Sequence, residues 1–158
     1  LIDGGQKSAM TQMREIYDFH GSSVVGVQEV PCEEIYKYGV IDPAPMGDRL
    51  NAVKGMVEKP KPADAPSNLA VVGRYILNSR VFDLLKTTPR GAGGEIQLTD
   101  AIAAMALEEQ VLSYQFDGTR YDCGSKLGFL QANVEYGLKH PELAEGFRAY
   151  LQELAQRL

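Results

Sequence analysis

An almost unbroken apolar run restricts the possible folds of this chain more than any other feature. It spans residues 69–77 and reads LAVVGRYIL. A run of this kind predicts a strand that is buried on both faces, and such a strand needs covering layers on both sides. Strand patterns alternate with helical patterns along the chain, so we expect an α/β fold with a mixed sheet.

Two charged residues stand just upstream, where another strand is predicted to end. Glu58 and Lys59 are followed by Pro60 and by a loop over residues 61–67. Pro60 cannot donate a ladder hydrogen bond and disfavours helix at Lys59, so the chain should leave the sheet there. The pair is then expected at the sheet rim, where a carboxylate can accept from sugar hydroxyls and an ammonium can bind phosphate. Residue types alone favour the other interpretation, an exposed charged pair that closes a strand.

The remaining elements follow from periodicity and from breaking residues. The sequence predicts helices over residues 8–19, 79–85, 96–109 and 126–138, and a last helix that starts at Pro141. Ser79 is the predicted N-cap of the second helix, and Leu158 lies on the apolar face of the last. Strands are predicted over 23–30, over 38–41 with an end at Pro43 to Pro45, up to Glu58, and over 111–116. Residues 31–36 are predicted to form a helical turn, and 87–94 a loop.

Composition and charge exclude several classes of protein. The net charge of -5 and the lack of a basic run argue against nucleic acid as a partner. No apolar run reaches membrane length, and the first residues do not form a signal peptide. Cys32 and Cys123 form no metal pattern, which fits a reducing cytoplasmic setting. The abrupt start at Leu1 suggests a chain that begins inside a larger protein.

Asp122 has two interpretations. It lies where a turn gives way to a helix, two residues before Gly124. In α/β sheets the ligand cleft lies beyond strand ends, and one carboxylate there can bind Mg²⁺ together with phosphate oxygens and water. Alternatively, Asp122 is the N-cap of the helix that begins near Lys126. Tyr38-Gly39 also has two interpretations, either a bend in a strand or a close approach of backbone to a ligand.

Five blocks in register resemble one known family. They are Glu58 to Pro60, Pro66 to Tyr75, Gly91 to Ala101, Asp122 to Gly128, and Val134 to Gly137. Together they are similar to the bacterial UTP–glucose-1-phosphate uridylyltransferases, also called UDP-glucose pyrophosphorylases. The resemblance implies the C-terminal part of a Rossmann-like nucleotidyltransferase fold, with a mixed sheet and C-terminal helices. It also implies transfer of uridylyl from UTP to glucose 1-phosphate, which gives UDP-glucose and pyrophosphate.

The same resemblance implies roles for five residues. Glu58 would bind glucose hydroxyls and Lys59 the sugar phosphate, while Gly39 and Val71 would line the sugar through their backbone. Asp122 would be one of two Asp ligands to a Mg²⁺ cofactor, so Lys59 and Asp122 are the expected catalytic residues. In-line attack on the α-phosphorus needs positioning and charge neutralisation rather than a protein nucleophile.

The family's nucleotide-binding half has no counterpart in these blocks. The 158 residues are therefore expected to be a single-domain fragment, with a sugar-phosphate-binding half over 1–125 and C-terminal helices over 126–158. We expect such a fragment to be inactive alone, and the parent protein to be a homo-oligomer that uses UTP and glucose 1-phosphate. The alternative is a non-catalytic module that binds a sugar phosphate or mediates assembly.

Overall fold

The structure is a computed structural model that describes residues 1–157. Its strands are β1 (Ile2–Asp3), β2 (Ser23–Glu29), β3 (Gly39–Gly47), β4 (Leu50–Glu58), β5 (Leu69–Ile76), β6 (Val111–Gln115) and β7 (Thr119–Arg120). Its α-helices are α1 (Ala9–His20), α2 (Arg80–Thr87), α3 (Leu98–Glu108), α4 (Lys126–Gly137) and α5 (Ala144–Ala155). Short 3₁₀ segments cover Cys32–Lys37, Pro62–Asp64 and Ala92–Gly94.

The chain forms two compact units. The larger unit spans Gly4–Asp117, and the smaller combines Leu1–Asp3 with the chain from Gly118 onward. The predicted division of a single domain into a sugar-phosphate-binding half over 1–125 and C-terminal helices over 126–158 concerns function, and it stays a prediction. In the described residues, no helix has the length and apolar character that spanning a membrane requires.

Five strands of the larger unit form a closed, mixed sheet. Their order is β2-β5-β3-β4-β6, and the ring closes because β6 also pairs with β2. The β2–β6 pair is parallel and the other neighbouring pairs are antiparallel. α3 packs against β4 and α1 against β2, so helices cover the sheet. The predicted α/β class with a mixed sheet and C-terminal helices is confirmed.

The most completely buried strand is β2 rather than β5. Residues 23–27 are all buried, whereas in β5 only Ala70 and Val71 are buried and Gly73 is exposed. The cause is a bulge between two pairs of the β2–β5 ladder, Val25↔Tyr75 and Val27↔Val71. Three residues of β5 there oppose the single residue Gly26, and Gly73 takes a φ of +71°. The prediction of a strand buried on both faces was therefore wrong for the second half of residues 69–77.

The prolines of β3 do not end the strand, contrary to the prediction. β3 continues to Gly47 and pairs with β4 at Pro43↔Val53 and Pro45↔Asn51. Its pairing with β5 is limited to Val40↔Ala70, so the later part of β3 is bonded to β4 on one side only. Proline is tolerated in such an edge segment because its missing N–H takes nothing from the ladder. A bulge between Asp42 and Pro43 absorbs the irregularity.

Helix ends follow the predicted chemistry in α1 but not in α2. Ser8 Oγ accepts from Thr11 N, and Gly21 ends α1 in the left-handed region with φ +66°. At α2 the Ser79 side chain forms no cap, and Asn78 Oδ1 instead accepts from Arg80 N at 3.0 Å. The predicted cap at Ser79 was therefore one residue too late.

The smaller unit consists of a two-stranded ladder and two helices. β1 pairs antiparallel with β7 at Ile2↔Arg120 and Asp3↔Thr119. α4 and α5 meet where a Cβ on Gly137 would lie 2.8 Å from the Phe147 ring, so a larger residue at 137 would separate the helices. The last helix begins at Ala144, three residues after Pro141, and Leu158 lies outside the described residues. No described side chain of α5 is buried.

Candidate functional site

A pocket of about 270 Å³ lies in the larger unit, where strand ends meet the start of α3. Three of the predicted substrate-binding residues, Gly39, Glu58 and Val71, line it together. Strand pairing brings them close, because Gly39 pairs with Glu58 and Val40 pairs with Ala70. The remaining lining residues are Lys37, Tyr38, Tyr75, Gln97, Leu98 and Thr99.

The carboxylate of Glu58 is held inside this pocket. Its side chain is 15% exposed, whereas that of Lys59 is 56% exposed. Thr99 Oγ1 donates a hydrogen bond of 2.5 Å to Glu58 Oε2, and Lys59 Nζ lies 3.8 Å from Oε1. A buried carboxylate requires compensation of this kind. The interpretation of 58 and 59 as an exposed charged pair therefore holds for Lys59 alone.

Gly39 makes room for the carboxylate. A Cβ at this position would lie 2.9 Å from Thr99 Cγ2 and 3.0 Å from Glu58 Oε2. Any side chain at 39 would therefore displace one of these two groups. The glycine is required by a close approach to groups of the protein itself. Both interpretations of Tyr38-Gly39, a bend in a strand and an approach of backbone to a ligand, stay predictions.

Lys59 has an unusual backbone. Its φ is +47°, in the left-handed region that residues other than glycine seldom adopt. Its N–H donates to Tyr38 O at 2.9 Å, and Pro60 follows directly. Such a conformation costs about 1–3 kcal/mol and persists where the surroundings impose it, often at functional sites. The turn leaves Glu58 in the pocket, whereas Lys59 does not line it and has a mostly exposed side chain.

Tyr75 and Thr99 are site residues that the sequence analysis did not assign. Burial and, after it, the negative charge of Glu58 raise the pKa of the Tyr75 hydroxyl above its ordinary value. A signal for Tyr75 existed, because its spacing of four from Val71 places both on one face of a strand. No local signal pointed to Thr99, since its contact with Glu58 joins residues 41 positions apart.

Asp122 belongs to the smaller unit and is not the cap of α4. Ser125 caps that helix, since its Oγ accepts from Gly128 N and donates to Asp122 O, each at 3.0 Å. Asp122 Oδ1 accepts from Gly124 N at 3.1 Å, and Oδ2 lies 3.9 Å from Arg120 Nη2. Its side chain is 48% exposed. The capping interpretation was wrong because the helix begins within reach of Ser125.

A larger cavity of about 610 Å³ also lies in the smaller unit, beside β7 and α4. Its cationic residues are Arg120 and Lys139, which form ion pairs with Asp122 and Asp3. Among residues 1–157, no three His, Cys, Asp or Glu side chains are grouped to hold a metal ion. The pocket around Glu58 differs from this cavity in that a largely buried carboxylate and a hydroxyl are hydrogen-bonded to each other there.

Comparison with known proteins identifies the family. The model of the nucleotidyl transferase family matches residues 6–138. The chain belongs to this family.

Relatives named as uridylyltransferases match most of the chain. A UTP--glucose-1-phosphate uridylyltransferase of Staphylococcus epidermidis strain RP62A is 49% identical over 146 residues, 92% of this chain and 51% of that protein. The relative YngB of Bacillus subtilis strain 168 bears the same name and is 45% identical over 149 residues, 94% and 50% of the two chains. The chain thus spans about half the length of these curated relatives. The resemblance inferred from the five blocks is confirmed.

Solved structures of nucleotidyl transferases also match. A UDP-glucose pyrophosphorylase complexed with UDP-glucose superposes with a TM-score of 0.84 at 42% identity, over 89% of this chain and 54% of that one. The UTP-bound enzyme from Acinetobacter baumannii gives 0.84 at 40% identity, over 98% and 53%. The pocket around Glu58 therefore stands in a nucleotidyl transferase fold whose close structural neighbours are UDP-glucose pyrophosphorylases.

Proposed function

We propose that this chain provides the sugar-phosphate side of a UTP–glucose-1-phosphate uridylyltransferase. The observation that carries the proposal is the hydrogen-bonded, largely buried carboxylate of Glu58 next to the exposed ammonium of Lys59. One solved neighbour holds UDP-glucose and another UTP, and the curated relatives are named for this reaction. The enzyme transfers uridylyl from UTP to glucose 1-phosphate and releases pyrophosphate.

Each predicted residue has a role in this proposal. Glu58 accepts a hydrogen bond from a sugar hydroxyl through Oε1, the oxygen that Thr99 does not bind. Lys59 binds the phosphate as a flexible cation, and the backbone of Gly39 and Val71 lines the sugar. These contacts align the sugar phosphate for in-line attack on UTP, a reaction in which positioning and charge neutralisation supply most of the catalysis.

Asp122 is the residue of this chain that we propose as a ligand of Mg²⁺. Its half-exposed carboxylate keeps Oδ2 directed toward Arg120 at 3.9 Å, a loose pair that a divalent ion can replace. Mg²⁺ is usually bound by one or two carboxylates together with phosphate oxygens and waters, so a single protein ligand in this chain fits. When bound, the ion would neutralise charge on the transferring phosphate.

A binding module without catalysis is the second candidate. It is favoured by one observation, namely that every residue lining the pocket belongs to Gly4–Asp117. A sugar phosphate could therefore bind there without any other part of the chain.

Two measurements test the proposal and separate it from the second candidate. Isothermal titration of the 158-residue chain with glucose 1-phosphate should show binding that Glu58→Gln weakens. For catalysis, residues 6–138 should replace the matching segment of the S. epidermidis relative, and uridylyl transfer from UTP should be measured. Transfer by the chimera supports the enzyme, binding without transfer favours the module, and absence of binding rejects both.

A further inference from the structure

The hydroxyl of Thr99 fixes one oxygen of Glu58. Thr99 is the second residue of α3, and its Oγ1 donates to Glu58 Oε2 at 2.5 Å. The bond joins the start of α3 to the last residue of β4, two elements that pack against each other. Because α3 and β4 pack against each other, the Thr99 hydroxyl is held in a fixed position relative to the Glu58 carboxylate.

The surroundings of Glu58 make the two carboxylate oxygens unequal. Oε2 faces Thr99 and Gly39, because a Cβ on Gly39 would lie 3.0 Å from Oε2 and 2.9 Å from Thr99 Cγ2. Oε1 lies 3.8 Å from Lys59 Nζ. Oε2 is therefore bound by Thr99, and Oε1 lies near Lys59, the cation proposed to bind the phosphate.

Without the Thr99 hydroxyl, the carboxylate would lose this asymmetry. The terminal torsion of Glu is broad and close to two-fold, so rotation exchanges the two oxygens at low cost. A largely buried carboxylate oxygen that has lost its donor is costly and will accept from any hydroxyl that reaches it. The carboxylate would then no longer be restricted to one acceptor position.

We propose that Thr99 is a positioning residue that sets the hydroxyl selectivity of this site. It donates to Oε2 and so holds the carboxylate in one orientation, in which Oε1 is the oxygen presented to the sugar hydroxyls. This inference rests on the proposed function, because it requires a sugar phosphate in the pocket.

The test compares binding of glucose 1-phosphate with binding of its 2-, 3- and 4-deoxy derivatives. In the wild-type chain, loss of the hydroxyl that Glu58 recognises should weaken binding by about tenfold or more. In Thr99→Val, which keeps the shape and removes the hydroxyl, that penalty should fall below about threefold. Thr99→Ser restores the hydroxyl and should restore the penalty.

A control separates this role from a general loss of stability. Thr88 Oγ1 donates to Leu84 O at 2.8 Å, at the end of α2, and Thr88 does not line the pocket. Thr88→Val should change the melting temperature without changing the deoxy penalty. A readout that needs no ligand is the ¹³C chemical shift of the Glu58 carboxyl, which should move in Thr99→Val and stay in place in Thr88→Val.

The outcomes distinguish the two proposals. Wild-type binding with an unchanged deoxy penalty in Thr99→Val overturns the inference and leaves the proposed function standing. An unmoved Glu58 carboxyl shift in Thr99→Val also overturns it. Absence of wild-type binding to glucose 1-phosphate rejects the proposed function, and the selectivity role of Thr99 with it.

Discussion

At the scale of single residues, the site depends on charges whose environments differ sharply. Glu58 is largely buried and hydrogen-bonded, while its neighbour Lys59 is mostly exposed on a backbone in the left-handed region. Tyr75 contributes a hydroxyl beside Glu58. The proposed function therefore assigns recognition of the sugar to Glu58 and binding of the phosphate to Lys59, and each can be changed separately.

Lys59→Gly should separate stability from binding. Glycine adopts φ +47° without strain, so the free energy of unfolding should stay level or rise by about 1 kcal/mol. Binding of glucose 1-phosphate should weaken by about 1.5–3 kcal/mol, because a charge-assisted bond is lost. The control is Lys61→Gly, where φ is -66° and glycine brings only its entropic cost. Urea unfolding and titration calorimetry measure the two effects, and full retention of affinity in Lys59→Gly contradicts the phosphate role.

Ionisation of the Tyr75 hydroxyl should make the free energy of unfolding fall as pH rises in the alkaline range. Its pKa in the folded chain is raised, first by burial and then by Glu58. The folded state then holds the proton more tightly, so this stabilisation is complete below the unfolded pKa of about 10 and is lost as pH rises through the folded pKa. Tyr75→Phe should flatten the fall in unfolding free energy above about pH 10. Tyr150→Phe on exposed α5 is the control, and an equal slope in wild type and Tyr75→Phe speaks against the effect.

At the scale of elements, strand register and helix starts place the functional groups. The β3–β4 ladder sets Gly39 opposite Glu58, and the start of α3 delivers Thr99 to the same point. In the smaller unit, Ser125 starts α4, which leaves the Asp122 carboxylate half-exposed. Small shifts in these elements would displace the site.

Gly39→Ala should disturb the site and Gly55→Ala should not. Both glycines lie in the β3–β4 pair, but a Cβ at 55 meets nothing within 4 Å, whereas one at 39 meets Thr99 and Glu58. We expect Gly39→Ala to cost about 1–3 kcal/mol of stability through overpacking and to abolish measurable sugar-phosphate binding. Chemical unfolding and titration of both variants check this. Normal binding by Gly39→Ala would show that the close approach is not needed.

Substitutions at Ser125 and Asp122 should have opposite effects, the first on stability and the second on turnover. Ser125→Ala removes the cap of α4 and should lower the free energy of unfolding by about 1 kcal/mol. Asp122→Asn keeps an oxygen that can accept from Gly124 N, so stability should be nearly unchanged. In the chimera described above, Asp122→Asn should sharply reduce turnover at limiting Mg²⁺, since the charge that holds the ion is lost. Wild-type turnover in that variant would refute the metal role.

On the molecule as a whole, apolar surface is exposed in the C-terminal helical region. Leu143 is 57% exposed and Tyr150 52%, and α5 contributes no buried side chain among the described residues. Exposed apolar surface of this kind often marks an interface. We predict that the chain forms homo-oligomers and that Tyr150→Glu shifts them toward monomer, as measured by light scattering at micromolar concentration. A monodisperse wild-type monomer contradicts this, and Glu153→Gln on the same helix is the control.

Sequence patterns were enough to predict the elements that depend on neighbouring residues. The helix from Ser8 to Gly21, the strand near residue 23 and the strand that ends at Glu58 were predicted, because caps, glycines and periodicity are local signals. The five sequence blocks also identified the family, and Gly39, Glu58 and Val71 were assigned to one site before the structure placed them in one pocket.

Which groups face each other is set by the three-dimensional fold. Thr99 reaches Glu58 across 41 positions, and the β3 prolines are tolerated because β5 bonds that strand at one residue pair only. The incomplete burial of the second half of β5 follows from a bulge opposite Gly26. Each of these depends on contacts between distant segments, and the periodicity of a segment carries no information about which distant partner it meets.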